Sequence, residues 1–308
     1  MPSGEAIALS WLAAATWVSD LGLIGLTGAV ACRPLLAAAP RGTAAAADGR
    51  TPERTLIAIA AGSAAAMLFG AAARLHAQTW SVFGLDEAVT LELVRIVGVD
   101  SRWGARWQPQ AGLALAAAAG VAWWARQPRA GWWVAGAAAV GAWAALPLTG
   151  HAMSAASSLP WIAQVAHGLG AGLWIGTLAA VVAVALGLAR DPATHPRIGV
   201  LVRRFSRLAI PAVWTIAVSG VVTAVFYFDA VAELWSTAYG RTLLLKVGLF
   251  AAVGAVGAYN WRRLTPRLGD ARGMAALLVS ARVELALAIV LLAVTAVLVH
   301  LGMPAGAP

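Results

Sequence analysis

The sequence predicts an all-α integral membrane protein, a polytopic bundle of about eight transmembrane helices. Of its 308 residues, 61% are hydrophobic and 11% are charged, and the mean hydropathy is +0.78. Soluble domains carry roughly a quarter charged residues, so this composition excludes an ordinary soluble domain. Most of its eight apolar runs reach or approach the roughly 20 residues that a helix needs to cross a ~30 Å hydrocarbon core.

Each run is predicted to be helical, because hydrocarbon offers no hydrogen-bond partner to an open backbone. The ten-residue alternation of a membrane β-barrel does not occur in the sequence. In chain order the predicted spans are 6–31, 55–75, 111–124, 132–149, 160–188, 208–228, 242–261 and 276–301. The third is the shortest. Residues 1–9 lack the basic start of a signal peptide, so we expect the first run to be retained as a span.

The arginines predict the orientation of the bundle. Cytoplasmic loops of membrane proteins are enriched in Lys and Arg, and 16 of the 21 arginines lie in or beside the loops after spans one, three, five and seven. The opposite side carries more than half of the acidic residues. Both termini are therefore predicted to face outside.

Between the second and third spans lies a long polar connection, 78–110. Leu85, Val89, Leu93, Ile96 and Val97 recur there at helical spacing. The acidic residues between them complete the pattern of an amphipathic helix on the outer surface, in a segment of about 80–107. This segment could cover an outer site or merely connect two spans.

Composition and motifs also exclude several functions. The net charge of +9 would suit nucleic acid if the basic residues formed one solvated patch, but they occupy the gaps between spans. We therefore expect membrane lipid as a partner and no nucleic acid. The sequence contains no phosphate loop, GxSxG, HExxH or CxxC motif, and its single cysteine excludes an intrachain disulfide. A function other than catalysis is expected.

Histidines concentrate on the predicted outer side. Only His195 is predicted to lie inside; the other four are His76, His151, His167 and His300. Met153 follows His151 by two residues, and imidazole with thioether ligands suits copper, especially Cu(I). The four outer histidines and Met153 are thus candidate copper ligands. For each histidine, an interfacial side chain bonded to water or backbone is the alternative.

A few polar groups fall within the spans. Lys246, the only lysine, lies about one turn inside the seventh span, where an ammonium needs a partner, a water-filled cavity or loss of its proton. With Asp20 in the first span and Glu284 in the last, it forms a candidate polar path. The alternatives are a structural ion pair of Lys246 with Asp20, a snorkelling lysine, and a local pair of Glu284 with Arg282. Cys32, at the inner end of the first span, could accept a soft cation or simply pack.

The fifth span carries a stripe of glycines. Gly168, Gly172 and Gly176 are four residues apart, which allows another helix to approach closely, and His167 adjoins them. Bundles build metal or haem sites at such contacts, although close packing alone would use the same glycines.

A set of short motifs in the second half of the chain resembles the copper resistance protein D (CopD) family. They are TGHA at 149–152, VAHG at 165–168 running to LWIG at 173–176, RFSRLA at 204–209, SG at 219–220, AYGR at 238–241 with Lys246, NWR at 260–262 and RVE at 282–284. The resemblance covers about 149–300. It divides the chain into an N-terminal four-span region, 1–148, and a CopD-like four-span domain, 149–308.

The resemblance implies a multi-pass protein of the bacterial inner membrane that handles copper. Such proteins take a copper ion from the periplasm toward the cytoplasm, in copper resistance and homeostasis, often with a periplasmic copper-binding partner of the CopC type. The motif histidines here are His151 and His167, and Lys246 matches the lysine that follows the Tyr-Gly pair. The chain has few methionines and no Met-rich outer loop.

Two other functions stay open. The broader group also resembles a membrane protoporphyrinogen oxidase that binds haem through a histidine and a lysine. His167 and Lys246 could accordingly hold haem b in a haem-dependent oxidoreductase. The chain could also be a copper chaperone or assembly factor that does not transport.

Overall fold

The computed structural model describes residues 4–37, 51–84, 88–149, 157–189, 191–268 and 271–302. Within these ranges the chain forms helices joined by short turns, and no strand occurs. Seven helical stretches there are long and apolar enough to cross a membrane. The predicted all-α membrane bundle is confirmed.

Each predicted span corresponds to a helix that begins before its apolar run. In chain order the helices are α1 (Gly4–Ala37), α2 (Pro52–Phe83), the short α3 (Leu91–Arg95), α4 (Arg102–Trp124), α5 (Pro128–Ala145), α6 (Leu159–Ala171), α7 (Thr177–Leu188), α8 (His195–Tyr227), the short α9 (Glu233–Ser236), α10 (Ala238–Tyr259) and α11 (Ala271–Leu298). Three π-helical stretches accompany them. Ile96–Asp100 follows α3, Gly172–Gly176 joins α6 to α7 into one crossing, and Asn260–Leu264 extends α10.

The third predicted span is not among the seven most apolar helices, but it is present as the helix α4. Near its start, Trp107 Nε1 donates a hydrogen bond to Ala71 O (3.1 Å), close to the end of the apolar run of α2. At its other end, Trp124 Nε1 donates to Glu53 Oε1 (3.2 Å), at the beginning of α2. A helix bonded to both ends of the neighbouring apolar run extends along the whole of it. Within the described ranges, α4 thus lies beside α2, seven other helical stretches are long and apolar enough to cross a membrane, and the eighth crossing stays a prediction.

The outer connection is shorter than predicted. Helix α2 continues to Phe83 and ends at Gly84, whose φ of 92° lies in the left-handed region that glycine adopts readily. Helix α4 already begins at Arg102, because Ser101 Oγ caps it by accepting a hydrogen bond from Gly104 N (2.9 Å). The element between them is thus α3 with its π-helical extension, and not the whole of 80–107. Residues 85–87, part of the predicted pattern, lie outside the described residues.

The crossing formed by α6 and α7 lies at the centre of the bundle. Of the most apolar 18 residues in Leu159–Leu188, 67% are buried, against 6% in Ala238–Arg267. The glycine stripe makes this possible, because Gly176 meets Gly28 of α1 main chain to main chain. A Cβ on either glycine would overlap the backbone of the other helix. The predicted close helix contact is confirmed, and small residues are what membrane helices use for it.

At the end predicted to face the cytoplasm, an arginine joins four helices. Arg33 Nε forms an ion pair with Glu53 Oε1 (3.0 Å), and its guanidinium lies 5.9 Å and 5.4 Å from the ring centroids of Trp124 and Trp132. Trp132 Nε1 donates in turn to Val30 O (2.9 Å). Ionic, cation–π and hydrogen-bond contacts thus hold α1, α2, α4 and α5 together at one level.

The contact between α1 and the central crossing can be tested by overpacking. We expect Gly28→Leu to destabilise the protein, because the new side chain would overlap the Gly176 backbone; overpacking typically costs about 1–3 kcal/mol. Gly187→Leu is the matched control, since a Cβ there meets no heavy atom within 4 Å. Thermal unfolding in detergent should show a lower midpoint for Gly28→Leu alone. Equal midpoints would contradict the close contact.

Orientation stays a prediction, and the buried Cys32 makes it testable, because a fully buried thiol leaves little background labelling. A membrane-impermeant maleimide added to right-side-out vesicles is expected to label Ser236→Cys, at an exposed position of α9. Arg129→Cys, exposed at the start of α5, should react only after the vesicles are opened. The opposite pattern would mean that the topology is inverted.

Candidate functional site

Polar side chains enter the membrane along one face of α1. Thr16 Oγ1 lies 2.9 Å from Nε2 of His300, just beyond the end of α11. Asp20 follows Thr16 one turn deeper on the same face, since residues i and i+4 are neighbours on a helix. His300 therefore lies above Asp20, at the outer end of a polar column. Both residues were predicted as candidates, but the sequence did not reveal that α1 connects them.

Asp20 is influenced by two cations from opposite halves of the chain. Its Oδ1 is buried and has no hydrogen-bond partner, and the charges of Arg74 on α2 and Lys246 on α10 both act on its carboxylate. Neither cation forms an ion pair with it, because the one pair within 4 Å between described residues joins Arg33 and Glu53. The alternative of an ion pair between Asp20 and Lys246 is therefore wrong; their charges interact over a longer distance, and one carboxylate oxygen is left to accept another ligand.

Arg74 was counted among the outer-loop arginines, but it is buried inside the bundle, with 7% of its surface exposed. Its Nη1 donates to Gln110 Oε1 (2.6 Å) and its Nη2 to Thr149 Oγ1 (3.1 Å). Gln110 Nε2 donates further to Ala145 O (3.1 Å). This network joins α2, α4 and the end of α5 and fixes a positive charge near Asp20. The sequence did contain a signal for this burial, since Arg74 falls inside the second apolar run.

His167 faces α8. Its Nδ1 lies 3.1 Å from Ser219 Oγ, and the Ile216 backbone also hydrogen-bonds the ring. The charge of Lys246 acts on this imidazole. Helix α8 therefore orients His167 within electrostatic reach of the only lysine. Ser219 belongs to a recognised motif, but sequence reasoning gave it no role.

The described outer histidines do not share one site. His76 is exposed on α2, with its ring 6.2 Å from that of Trp80. His167 and His300 are hydrogen-bonded to α8 and α1 respectively. Across the part of the chain that the structure describes, no group of three or more His, Cys, Asp or Glu could hold a metal ion. Two predicted ligands lie outside the described residues, His151 and Met153.

A second polar site lies deeper in the bundle, at Glu284 of α11, which is 2% exposed. Asn260 Nδ2 donates to Glu284 Oε2 at 2.9 Å, and the Trp174 side chain also hydrogen-bonds this carboxyl group. The alternative of a local pair with Arg282 is wrong, because Arg282 is exposed and no ion pair joins the two described residues. Sequence reasoning missed both donors, although each belongs to a quoted motif.

Cys32 is a free thiol that is fully buried in the apolar core. A cation arriving at the inner end of α1 would have to pass between packed side chains to reach it. Its role as an inner acceptor stays a prediction, and the packing alternative accounts for its burial.

Comparison with known proteins relates the last helices to a family. The family model for copper resistance protein D matches residues 199–298. This stretch, called the CopD region below, is similar to that family over about a third of the chain. The copper transport protein CutJ of Bacillus subtilis (strain 168) is 34% identical over 140 residues, which is 45% of this chain. The match spans about a quarter, 24%, of the length of that relative. No solved structure matches the chain.

The CopD match is narrower than the predicted resemblance over 149–300. Only some of the polar groups described above lie within it. The CopD region supplies Lys246 and Glu284, whereas Asp20, Arg74 and His167 come from helices that precede it. The chain is a copper-related membrane protein in which the CopD region and the helices before it contribute to the same set of polar groups.

The coupling of Asp20 to Lys246 can be measured with a double-mutant cycle. We expect Asp20→Asn and Lys246→Met each to lower the free energy of unfolding, because each removes one of two interacting buried charges. The double variant should lose less than the sum, by about 0.5–3 kcal/mol. Chemical unfolding in mixed detergent micelles provides the four values. The same cycle with Leu244→Met, an exposed neighbour, should be additive; additivity in the charged cycle as well would contradict the coupling.

Proposed function

We propose that the chain is an inner-membrane transporter that takes copper from the periplasmic side toward the cytoplasm, in copper resistance and homeostasis. The observation that carries the proposal is the succession of polar groups through an apolar bundle, from His300 through Asp20 and Lys246 to Glu284. Ionisable groups inside a membrane are costly and typically mark ion pathways. The choice of copper is supported by the CopD match and by the name of the relative, a copper transport protein.

Copper capture is proposed at the outer end of the column. His300 contributes one imidazole there, with His151, Met153 and His76 as further proposed ligands. Because His300 and His167 are bonded to different helices and His76 is exposed beside Trp80 of its own helix, we propose several weak sites in succession. Such an arrangement favours passage, since an ion that binds too tightly cannot leave. A periplasmic protein of the CopC type is the proposed copper donor.

Lys246 is the proposed gate. Its ammonium acts on Asp20 as a resident cation, and a copper ion arriving at the same carboxylate would repel it. We propose that copper displaces the flexible lysine side chain, or its proton, and passes His167 on the way inward. Arg74 is held in place by Gln110 and Thr149. Its fixed positive charge weakens the hold of Asp20 on the copper ion, which favours release.

The transport proposal is tested in lipid vesicles. Purified wild-type protein is expected to accumulate copper supplied from the side of His300, and His167→Ala should lower the rate by about tenfold or more, because an imidazole that orients or binds the ion is lost. The matched control is His195→Ala, whose ring is bonded to the Ala189 carbonyl (3.2 Å) at the start of α8. Copper bound to the purified protein is measured alongside by mass spectrometry.

The alternative functions have distinct outcomes. Vesicles that bind copper without accumulating it would contradict transport and favour a chaperone or assembly factor. A Soret band in the visible spectrum of the purified protein would favour the haem alternative. Equal losses in the His167 and His195 variants would remove His167 from the pathway.

A further inference from the structure

Glu284 is buried among neutral side chains. It is 2% exposed, and its hydrogen-bond partners are Asn260 and Trp174. Gly257 of α10 lies against Oε1, where a Cβ would come within 2.9 Å. An ionised carboxylate in such surroundings is strongly unfavourable unless a cation joins it. The group therefore needs a proton or a metal cation for at least part of the time.

Charged and titratable groups around α11 leave this carboxyl group unpaired. Between described residues, no Lys, Arg or His nitrogen lies within 4 Å of it, and no Tyr or Cys hydrogen-bonds it. Helix α7, which packs against α11, carries no titratable side chain. The described titratable side chains on α11 and on the other elements packed against it are Asp20, Cys32 and Arg33 on α1, Tyr239, Arg241, Lys246 and Tyr259 on α10, Arg262, Arg263 and Arg267 after α10, and Arg272 and Arg282 on α11. A proton is the simplest cation that neutralises Glu284.

Both bonding partners of Glu284 belong to π-helical stretches on different helices. Trp174 lies in Gly172–Gly176, and Asn260 opens Asn260–Leu264. Single π-turns inside helices occur frequently at functional sites, because they redirect side chains that a regular helix would point elsewhere. The meeting of two of them at one carboxyl group favours a functional role over simple packing.

Asn260 is suited to both protonation states of Glu284. It is 7% exposed, its Nδ2 donates to Glu284 Oε2, and its Oδ1 is buried without a hydrogen-bond partner. This arrangement serves the carboxylate. Once Glu284 has taken up a proton, rotation of the amide presents Oδ1 as the acceptor for the new O–H group. The unpartnered oxygen supplies what the protonated state requires.

Helix α10 connects this site to the outer column. It carries Lys246, which acts on Asp20, and Asn260 follows its last turn and bonds Glu284. The crossing Ala238–Arg267 is the least buried of the seven apolar ones, at 6%, so it is the one most easily displaced. Glu284 lies about 24 Å from His300 along α11, at 1.5 Å per residue. Displacement of Lys246 by copper near the outer end can thus alter the Asn260–Glu284 bond at a distance.

We propose that Glu284 is the proton-binding site of the transport cycle, gaining and releasing one proton in each cycle through its contact with Asn260 on α10. The inference rests on the proposed function. The carboxylate becomes a carboxylic acid and then a carboxylate again; the proton comes from water and returns to water, and no other bond changes.

The transport test uses the full chain in phospholipid vesicles with copper outside and a pH difference across the membrane. If one proton moves with or against each copper ion, the wild-type accumulation ratio should change about tenfold per unit of pH difference. Glu284→Gln, an amide of the same shape, should lose this dependence, which is read from the ratio of its copper accumulation with and without the pH difference. The control is Glu92→Gln, which alters an exposed carboxylate on α3 and should respond like the wild type.

Infrared difference spectroscopy gives a readout that does not depend on copper movement. Acidification protonates the accessible carboxylates generally, so the readout is one component of the C=O bands: the component from Glu284 should appear in the wild type and in Glu92→Gln and be missing from Glu284→Gln. Glu284→Asp keeps a carboxyl group and should shift the band. This shift would assign the band to residue 284 even if the glutamine variant does not fold.

The possible failures are distinguishable. A band that neither disappears nor shifts, or a pH dependence that survives in Glu284→Gln, would overturn the proton site. Wild-type transport that ignores the pH difference would overturn the coupling alone. Vesicles that accumulate no copper under any condition would overturn the proposed function, and the infrared band would then still decide whether Glu284 takes up a proton.

Discussion

The main-chain contact between Gly28 of α1 and Gly176 of the central crossing determines where the polar groups of this bundle lie. In hydrocarbon, helices gain nothing from the hydrophobic effect when they associate, so close packing at small residues has to hold them together. Asp20 lies two turns before Gly28 on the same helix. The contact therefore sets the depth at which this carboxylate meets the charges of Arg74 and Lys246, and α1 becomes the helix that links the two halves of the chain.

The polar groups inside the bundle fall into two classes, those with partners and those that keep an unpartnered atom. Arg33 and Arg74 both have polar or aromatic partners, the first a carboxylate and two indole rings, the second the side chains of Gln110 and Thr149. Such satisfied groups hold helices in place. Asp20 and Asn260 each keep one buried oxygen without a partner. A native structure rarely leaves such atoms without a role, and here both lie beside a group that can exchange a cation or a proton.

The helices before the CopD match form one packed bundle with the matched helices. The match begins within α8, yet α1 packs against α7, α11 and the π-helical stretch between α6 and α7. The predicted boundary between 148 and 149 separates four predicted spans from four, but α1 belongs to the packing of both. An isolated CopD region would keep Lys246 and Glu284 and lose Asp20, Arg74, His167 and Trp174, and with them the groups that act on those two side chains.

By itself the sequence determined the membrane bundle, the positions of its apolar helices and the few costly polar groups, because hydropathy and charge can be summed over short windows. Glycines four residues apart also predicted the close helix contact, since that spacing is a local property. Which side chains meet was decided by the tertiary structure. The three described outer histidines share a predicted side of the membrane but not a site: His167 contacts α8, His300 contacts α1 and His76 is exposed. The order of helices and their rotation depend on contacts between distant residues. Only the tertiary structure shows the partners of Glu284 and the burial of Arg74. It also distinguishes polar atoms that have hydrogen-bond partners from those that do not.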